Sequence, residues 1–189
     1  MRIVGGVFRG RSLMAPMGKV TRPTADRVRE ALFDILMSAA LAEGDADLGA
    51  IAALDVFAGT GALGFEALSR GASRAGFVEN APEPLSVIAD NIRKLGVGSR
   101  AALLRFDATK PPKATQDYNL ILLDAPYRSG LAGPALEALL KRGWIAPGAR
   151  AVVEVAAGEP FAPPDKGFAI TDERKYGAAK LVFLSVASP

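Results

Sequence analysis

The chain has 189 residues and is half hydrophobic, which is enough for one domain with a substantial buried core. It contains neither cysteine nor histidine, so disulfides, thiolate or imidazole metal ligands, cysteine nucleophiles and histidine bases are excluded. The net charge of +3 is unevenly distributed, because residues 1–30 contain seven basic and two acidic side chains while the remainder is mildly acidic.

The first thirty residues predict a basic arm followed by a helix. Residues 2–13 alternate loosely between apolar and polar side chains and contain three glycines, which is typical of a short hairpin or β-arm. A helix is expected from Thr24 to Leu41, since apolar residues recur there at helical spacing. We therefore divide the chain into a basic arm, residues 1–23, and a main domain, residues 24–189.

The positive charge of the arm predicts contact with a polyanion. The residues expected to bind phosphates are arginines of the arm, namely Arg2, Arg9, Arg11 and Arg22. For Arg27 and Arg29, a phosphate contact and an ordinary charge on the helix surface remain equally open.

From residue 51 onward, strand-like and helix-like segments alternate. Strands are predicted at 51–57, 75–79, 101–106, 118–123 and 151–155, and helices at 62–70, 82–95 and 131–142. This alternation indicates an α/β fold whose mostly parallel sheet is covered on both faces. The last two strand-like segments, 168–175 and 181–186, are joined by a link too short for a crossover, so they must form an antiparallel hairpin. We expect a seven-stranded sheet.

The location is expected to be the cytoplasm. No apolar run in the sequence approaches the roughly 18 residues that a membrane span needs. Residues 1–6 also lack the apolar block of a signal peptide.

A glycine-rich loop follows the strand predicted at 51–57. Gly59, Gly61 and Gly64 have the spacing of a dinucleotide-binding loop, and Glu79 lies 20 residues beyond Gly59, so a nicotinamide-dependent reductase is one alternative. Asp55 argues against it, because a carboxylate at the end of this strand would repel a pyrophosphate. The same carboxylate would suit a cationic group, such as the α-amino group of S-adenosylmethionine.

A second polar motif, Asp124-Ala125-Pro126-Tyr127, follows the strand predicted at 118–123. It brings a carboxylate, a backbone carbonyl and an aromatic ring together at one strand end. Such a set can hold a planar group that carries an amine, because the ring stacks on its face while two oxygens accept the N–H hydrogens. The motif therefore predicts chemistry on the exocyclic amine of a nucleobase.

Both motifs resemble those of the Rossmann-like class I methyltransferases that use S-adenosylmethionine. The pattern Asp-x-x-x-Gly-x-Gly resembles their motif I, and the resemblance implies that Glu79 binds the ribose hydroxyls and Asp107 the adenine amine. The cofactor-binding set it implies is Asp55, Phe57, Gly59, Gly61, Glu79, Asn80, Asp107 and Ala108.

The second motif resembles the (Asn/Asp/Ser)-Pro-Pro-(Tyr/Phe) sequence of amino-methyltransferases. The resemblance implies that the catalytic residues are Asp124, Ala125, Pro126 and Tyr127. Ala125 departs from the family pattern, but it retains the backbone carbonyl that accepts an amine hydrogen in that family, and Pro126 still favours extended geometry at Ala125.

The N-terminal sequence is similar to that of the bacterial 16S ribosomal RNA guanine-N2 methyltransferase family (RsmD type). The similarity lies in residues 1–6, 9–11, 22–24 and 27–33 and extends over nearly the whole chain. It implies methylation of the N2 amine of one guanine in 16S ribosomal RNA, within a partly or fully assembled small subunit. The protein is expected to be a monomer and to need no metal.

Two further alternatives remain open. A methyltransferase that acts on adenine N6 or cytosine N4, in DNA or in another RNA, would use the same four-residue motif, although a specific DNA enzyme usually has a sizeable recognition domain. A non-catalytic RNA-binding module would account for the basic arm but would leave Asp55, Glu79 and Asp107 unexplained.

Overall fold

The computed structural model describes residues 1–15, 23–42 and 48–187. Arg22, one of the predicted phosphate ligands, lies outside these residues. The helices in this part of the chain are α1 (Pro23–Ala42), α2 (Ala62–Ser69), α3 (Pro82–Leu95) and α4 (Ala132–Lys141). The strands are β1 (Ala52–Val56), β2 (Arg74–Glu79), β3 (Ala101–Arg105), β4 (Tyr118–Leu123), β5 (Ile145–Ala156), β6 (Phe168–Tyr176) and β7 (Ala179–Val186).

The seven strands of the described chain form one sheet in the order β3-β2-β1-β4-β5-β7-β6. Strands β1 to β5 run parallel to one another, and β7 is antiparallel to both β5 and β6. The predicted mostly parallel sheet with a final antiparallel hairpin is therefore confirmed. The strand order reverses between β1 and β4, which is the position where open α/β sheets bind their ligands beyond the carboxyl ends of the strands.

The sheet is buried on both faces, which explains the continuous apolar runs in β1 and β4. One face packs against α4 through Leu136 and Leu139, and the other packs against α1 through Leu32 and Phe33. Polar side chains are consequently confined to the strand ends and the loops that follow them.

Strand β5 begins six residues earlier than predicted. The sequence prediction placed its start at Ala151, whereas the residues before it include Pro147 and Gly148, which are unusual inside a strand. In the structure β5 starts at Ile145, and the pairing with β4 shifts register between Tyr118 and Leu120 to accommodate these residues in an irregularity.

Within residues 1–15, the basic arm forms a hairpin that packs against α2 and α3. A bridge between Arg2 and Ser12 and a single 3₁₀ turn, Gly6–Phe8, define it. Its apolar side chains Ile3 and Leu13 are buried in a cluster with residues of α2, β2 and α3. The arm is thus part of the packed body, and burial of a side chain such as Ile3 stabilises the fold by about 1.5–3 kcal/mol.

Buried polar groups fix the arm in place. The Glu66 carboxylate on α2, which is fully buried, accepts hydrogen bonds from the Val4 amide (2.9 Å) and from Arg70 Nε (2.9 Å). Asn91 on α3 accepts a hydrogen bond from the Met14 amide and donates to the Met14 and Thr60 carbonyls.

In the part of the chain that the structure describes, no helix has the length and apolar character needed to span a bilayer.

Candidate active site

A cleft of about 800 Å³ lies beyond the carboxyl ends of β1, β2, β3, β4 and β5. It is lined by ten of the twelve residues that the sequence predicted for the cofactor and catalytic sites. These are Asp55, Phe57, Gly59, Glu79, Asn80, Asp107, Asp124, Ala125, Pro126 and Tyr127. Parallel strands end at the same edge of the sheet, so residues up to 72 positions apart in the chain meet there.

The other two predicted residues are buried beside the cleft and do not line it. Gly61 precedes α2 with φ +78°, and a Cβ atom there would lie 2.6 Å from the Phe65 ring, so this glycine is required by packing. Ala108 is buried in the core against the face that packs on α4.

Asp55 is the second-last residue of β1, and its side chain is buried. Its Oδ2 accepts a hydrogen bond from the Gly64 amide (2.8 Å) in the first turn of α2, where a helix end favours negative charge. The pKa of Asp55 is nevertheless raised to about 8, mainly by burial; the nearby negative charges of Asp124 and Glu79 act in the same direction, and the Gly64 hydrogen bond opposes them. A carboxylate in this environment is poised to accept a cationic ligand, which would restore its ionised form.

Glu79 at the end of β2 is held by backbone amides on both oxygens. Oε2 accepts from Gly59 (3.0 Å), and Oε1 accepts from Asn80 (2.8 Å) and Ala81 (2.9 Å). Backbone amides of the glycine loop and of the residues after β2 therefore orient the Glu79 carboxylate. It lines the cleft, where it can accept hydrogen bonds from a diol.

Asp107 follows β3 and also lines the cleft. Its Oδ1 accepts hydrogen bonds from the Thr109 amide and hydroxyl, both at 2.8 Å, and these lower the pKa of Asp107. The carboxylate is therefore ionised at neutral pH and suited to accept a hydrogen bond from an amine.

The Asp124–Tyr127 motif lies beyond β4 on the other side of β1. Asp124 and Pro126 are exposed, whereas Ala125 is buried. The Tyr127 ring is 47% exposed, which shows that it does not serve as an aromatic cap on the core. Its hydroxyl donates a hydrogen bond to Glu154 Oε1 (2.6 Å) near the end of β5.

Glu154 also lines the cleft, although it was not identified from the sequence. Burial raises the pKa of its carboxyl, while the Tyr127 hydroxyl and the charge of Arg29 act in the opposite direction. It also lines a smaller pocket of about 230 Å³ on the far side of the Asp124–Tyr127 motif. The predicted strand 151–155 already contained Glu154 near its carboxyl end. A single carboxylate inside a predicted strand does not, however, indicate a functional residue.

Two residues with left-handed backbone conformation flank the cleft. Phe57 (φ +60°) follows β1, and Arg128 (φ +59°) follows Tyr127. Non-glycine residues adopt this conformation at a cost of about 1–3 kcal/mol, and they cluster at functional sites. The Arg128 amide donates to both carboxylate oxygens of Glu159 at 3.0 Å, which holds the loop in this conformation.

The arm arginines that the structure describes, Arg2, Arg9 and Arg11, are not among the residues that line the cleft. Arg2 and Arg9 line a separate groove of about 390 Å³ together with Arg27, Asp26 and Glu30. Arg11 is exposed, with its guanidinium 5.2 Å from the centre of the Phe8 ring. Met1, the chain neighbour of Arg2, lines the cleft, and its sulfur accepts a hydrogen bond from the Thr60 hydroxyl (3.2 Å).

Both interpretations offered for Arg29 were wrong. Its side chain is buried and is neither an exposed helix charge nor free to contact phosphate. The guanidinium donates to Asp26 (2.8 Å) and to the Arg2 carbonyl (2.7 Å), and its Nε lies 3.7 Å from Glu66 Oε2. Arg29 instead ties α1 to the arm and to α2.

The strand order and the carboxylates at successive strand ends together define a class I methyltransferase fold. A family model described as conserved hypothetical protein 95 matches residues 1–185. The chain therefore belongs to this family.

The chain is also similar in sequence to relatives that carry a functional name. The chain is 33% identical over 169 residues to ribosomal RNA small subunit methyltransferase D of Haemophilus influenzae, a match that covers 87% of this chain and 83% of the relative. It is 36% identical over 165 residues to the protein of the same name from Escherichia coli K12, which covers 86% of this chain and 79% of that relative.

Solved structures show the same architecture. The Escherichia coli protein yhhF superposes with a TM-score of 0.84 at 31% identity and covers 100% of this chain and 99% of its own. An RNA methyltransferase from Salinibacter ruber, solved with S-adenosyl-L-homocysteine, has a TM-score of 0.62 and covers 90% of this chain and 95% of its own. At 14% identity the second similarity concerns the fold alone.

Proposed function

We propose that this protein transfers a methyl group from S-adenosylmethionine to the exocyclic N2 amine of one guanine in small-subunit ribosomal RNA. The observation that carries the proposal is the single cleft in which carboxylates of β1, β2 and β3 face the Asp124–Tyr127 motif of β4. The names of the relatives support the ribosomal RNA substrate.

The residues on the β1–β3 side fit S-adenosylmethionine in chemical terms. Asp55, buried and with a raised pKa, suits the α-amino group, while Glu79 and Asp107 suit the ribose hydroxyls and the adenine amine. When bound, this cofactor supplies an electrophilic methyl group whose bond to sulfur breaks, with its electron pair on sulfur, as the bond to nitrogen forms.

The residues on the β4 side would orient the amine. The lone pair of the guanine N2 is delocalised into the ring, which makes this amine a poor nucleophile. Asp124 and the Ala125 carbonyl accept its two hydrogens and so direct the lone pair toward the methyl group. Tyr127, half exposed, stacks on the extruded base, a contact worth about 1–3 kcal/mol.

No strong base is required for this reaction. Methyl transfer leaves a positive charge on N2, and the adjacent Asp124 carboxylate stabilises that charge as it develops. The surplus proton then passes to water, to which Asp124 is exposed. This agrees with the absence of histidine from the sequence.

We further propose that the arm binds phosphates of the RNA through Arg2, Arg9 and Arg11. These contacts position the substrate without selecting its sequence. The protein is proposed to act as a monomer on a small subunit that is partly or fully assembled.

The test is to map modified nucleosides in ribosomal RNA by mass spectrometry from three strains. These are the parent, a strain without the gene, and that strain carrying the Asp124→Ala variant. One N2-methylguanosine should disappear with the gene and should not return with the variant. Loss of a methylated adenine or cytosine instead would support the alternative amino-methyltransferases, and unchanged ribosomal RNA would contradict the proposal.

A further inference from the structure

The Asp124–Tyr127 motif does not by itself select guanine over adenine or cytosine. A carboxylate and a carbonyl that accept two amine hydrogens serve N2 of guanine, N6 of adenine and N4 of cytosine equally well. A group that meets the ring nitrogen beside the amine on the Watson–Crick edge would discriminate among the three. That nitrogen carries a hydrogen in guanine (N1–H), whereas in adenine (N1) and cytosine (N3) it carries a lone pair.

Glu154 is placed to meet this ring nitrogen. In the sheet, Leu123 of β4 pairs with Val153 of β5, so Asp124, which follows β4, lies beside Glu154, which is two residues from the end of β5. Both line the same cleft. A base whose amine contacts Asp124 and Ala125 can therefore turn its Watson–Crick edge toward β5, where Glu154 lines the cleft.

The contacts of Glu154 leave one oxygen for the base. Oε1 accepts the Tyr127 hydroxyl at 2.6 Å, and within residues 1–15, 23–42 and 48–187 no hydrogen bond reaches Oε2. The same contact joins the carboxylate to the ring that we propose stacks on the base. The hydrogen bond to Oε1 thus links the residue proposed to stack on the base with the residue proposed to contact its edge through Oε2.

We propose that Glu154 is the residue that selects guanine, by accepting the N1–H hydrogen while Asp124 and Ala125 accept those of N2. Opposite adenine or cytosine, the carboxylate would face a lone pair and repel it. This inference rests on the proposed function, because it assigns a role within the same reaction.

The test uses 2-aminopurine, a base that has the N2 amine of guanine but an unprotonated N1. Small-subunit ribosomal RNA is assembled by ligating a synthetic segment that carries guanine or 2-aminopurine at the mapped nucleotide. The wild-type protein should prefer guanine by at least about 100-fold in kcat/KM, since a site built to accept an N–H hydrogen rejects an analogue that lacks it.

The diagnostic variant is Glu154→Gln. Tyr127 donates to the residue at position 154, so the Gln carbonyl is expected to face Tyr127 and its NH₂ group to face the base. This donor matches the lone pair of 2-aminopurine. We expect kcat/KM for guanine to fall by at least about tenfold, kcat/KM for 2-aminopurine to be maintained or increased, and the preference to shrink to less than about tenfold.

Tyr127→Phe is the matched control, because it removes the hydroxyl that Glu154 accepts while keeping the ring and the carboxylate. It should lower kcat/KM for both RNAs by a similar factor and preserve the preference for guanine. 2-Aminopurine also lacks O6, but that loss is the same for every protein tested. The change in preference between wild type and variant therefore reports on position 154.

Equilibrium binding of the two RNAs without S-adenosylmethionine gives a readout independent of the chemical step, and Glu154→Gln should reduce the binding preference in the same direction. An equal loss on both RNAs in Glu154→Gln, or a wild-type protein that does not discriminate, would overturn the role of Glu154 alone. A wild-type protein that leaves the guanine RNA unmethylated would overturn the proposed function, and this inference with it.

Discussion

Binding of S-adenosylmethionine is expected to release most of one proton per protein molecule at pH 7. The pKa of Asp55 is about 8 in the free protein, so its side chain is mostly protonated at this pH. An opposite charge in contact with an aspartate lowers its pKa by about 1–3 units, and a fall of two units would release about 0.8 proton. Titration calorimetry at pH 7 in phosphate and in Tris measures this number, because the two buffers differ in ionisation enthalpy.

Asp55→Asn is the control that isolates this group. The amide oxygen of Asn can still accept the hydrogen bond from Gly64, so the start of α2 is retained. Proton release should fall close to zero, and cofactor binding should weaken about 10- to 100-fold through loss of a charge-assisted hydrogen bond worth about 1.5–3 kcal/mol. Equal proton release by both proteins, or none by the wild type, would refute the reasoning.

The same group predicts how stability changes with pH. Unfolded Asp55 ionises near 3.8 and folded Asp55 near 8, so between these values the folded state binds more protons. Its contribution to stability is therefore complete below pH 3.8 and is lost as pH rises toward 8, at up to about 1.4 kcal/mol per pH unit. Urea unfolding of wild type and Asp55→Asn at several pH values should show this slope in the difference between the two proteins.

Three further predictions follow from other contacts. Asp124→Ala should reduce kcat by at least about 100-fold with little change in cofactor Kd, measured by labelled-methyl transfer and calorimetry; full turnover would remove Asp124 from the mechanism. Glu66→Ala should lower the free energy of unfolding by about 3–5 kcal/mol, because it leaves Arg29 and Arg70 without their buried partner; a loss below about 1 kcal/mol in urea would contradict this. Arg9→Gln combined with Arg11→Gln should weaken RNA binding and reduce its salt slope by about 2, whereas Lys141→Gln at the end of α4 should change neither.

The sequence predicted well those residues of the candidate site that lie at the carboxyl ends of strands. Asp55, Glu79, Asp107 and Asp124 each follow an apolar run, and parallel strands necessarily bring their ends to one edge. Periodicity located the strands, and the resemblance to class I methyltransferases indicated that the carboxylates after them belong to one site. Neither could show that Gly61 serves packing against Phe65, because a glycine required by a ligand and one required by a ring have the same sequence signature.

The remaining contacts depend on pairs that sequence patterns do not link. Glu154 acquires its place from the Tyr127 hydroxyl 27 residues away, and Glu66 acquires its place from the arm 62 residues away. Arg29 lies on α1 between the exposed residues Arg27 and Glu30, and it is buried where the helix contacts the arm and α2. Such residues become visible only when the packing of separate elements is known, because propensity and periodicity are local properties.

The strand order separates the two ligands across β1. Groups proposed for the cofactor lie near the carboxyl ends of β1, β2 and β3, and groups proposed for the base lie near those of β4 and β5. Substitutions on opposite sides should therefore have additive effects on free energy, which would let base preference change during evolution while the methyl donor is kept. Asp55 and Asp124 are the exception, because their charges interact across the neighbouring ends of β1 and β4, and a change at either one should alter the effect of the other.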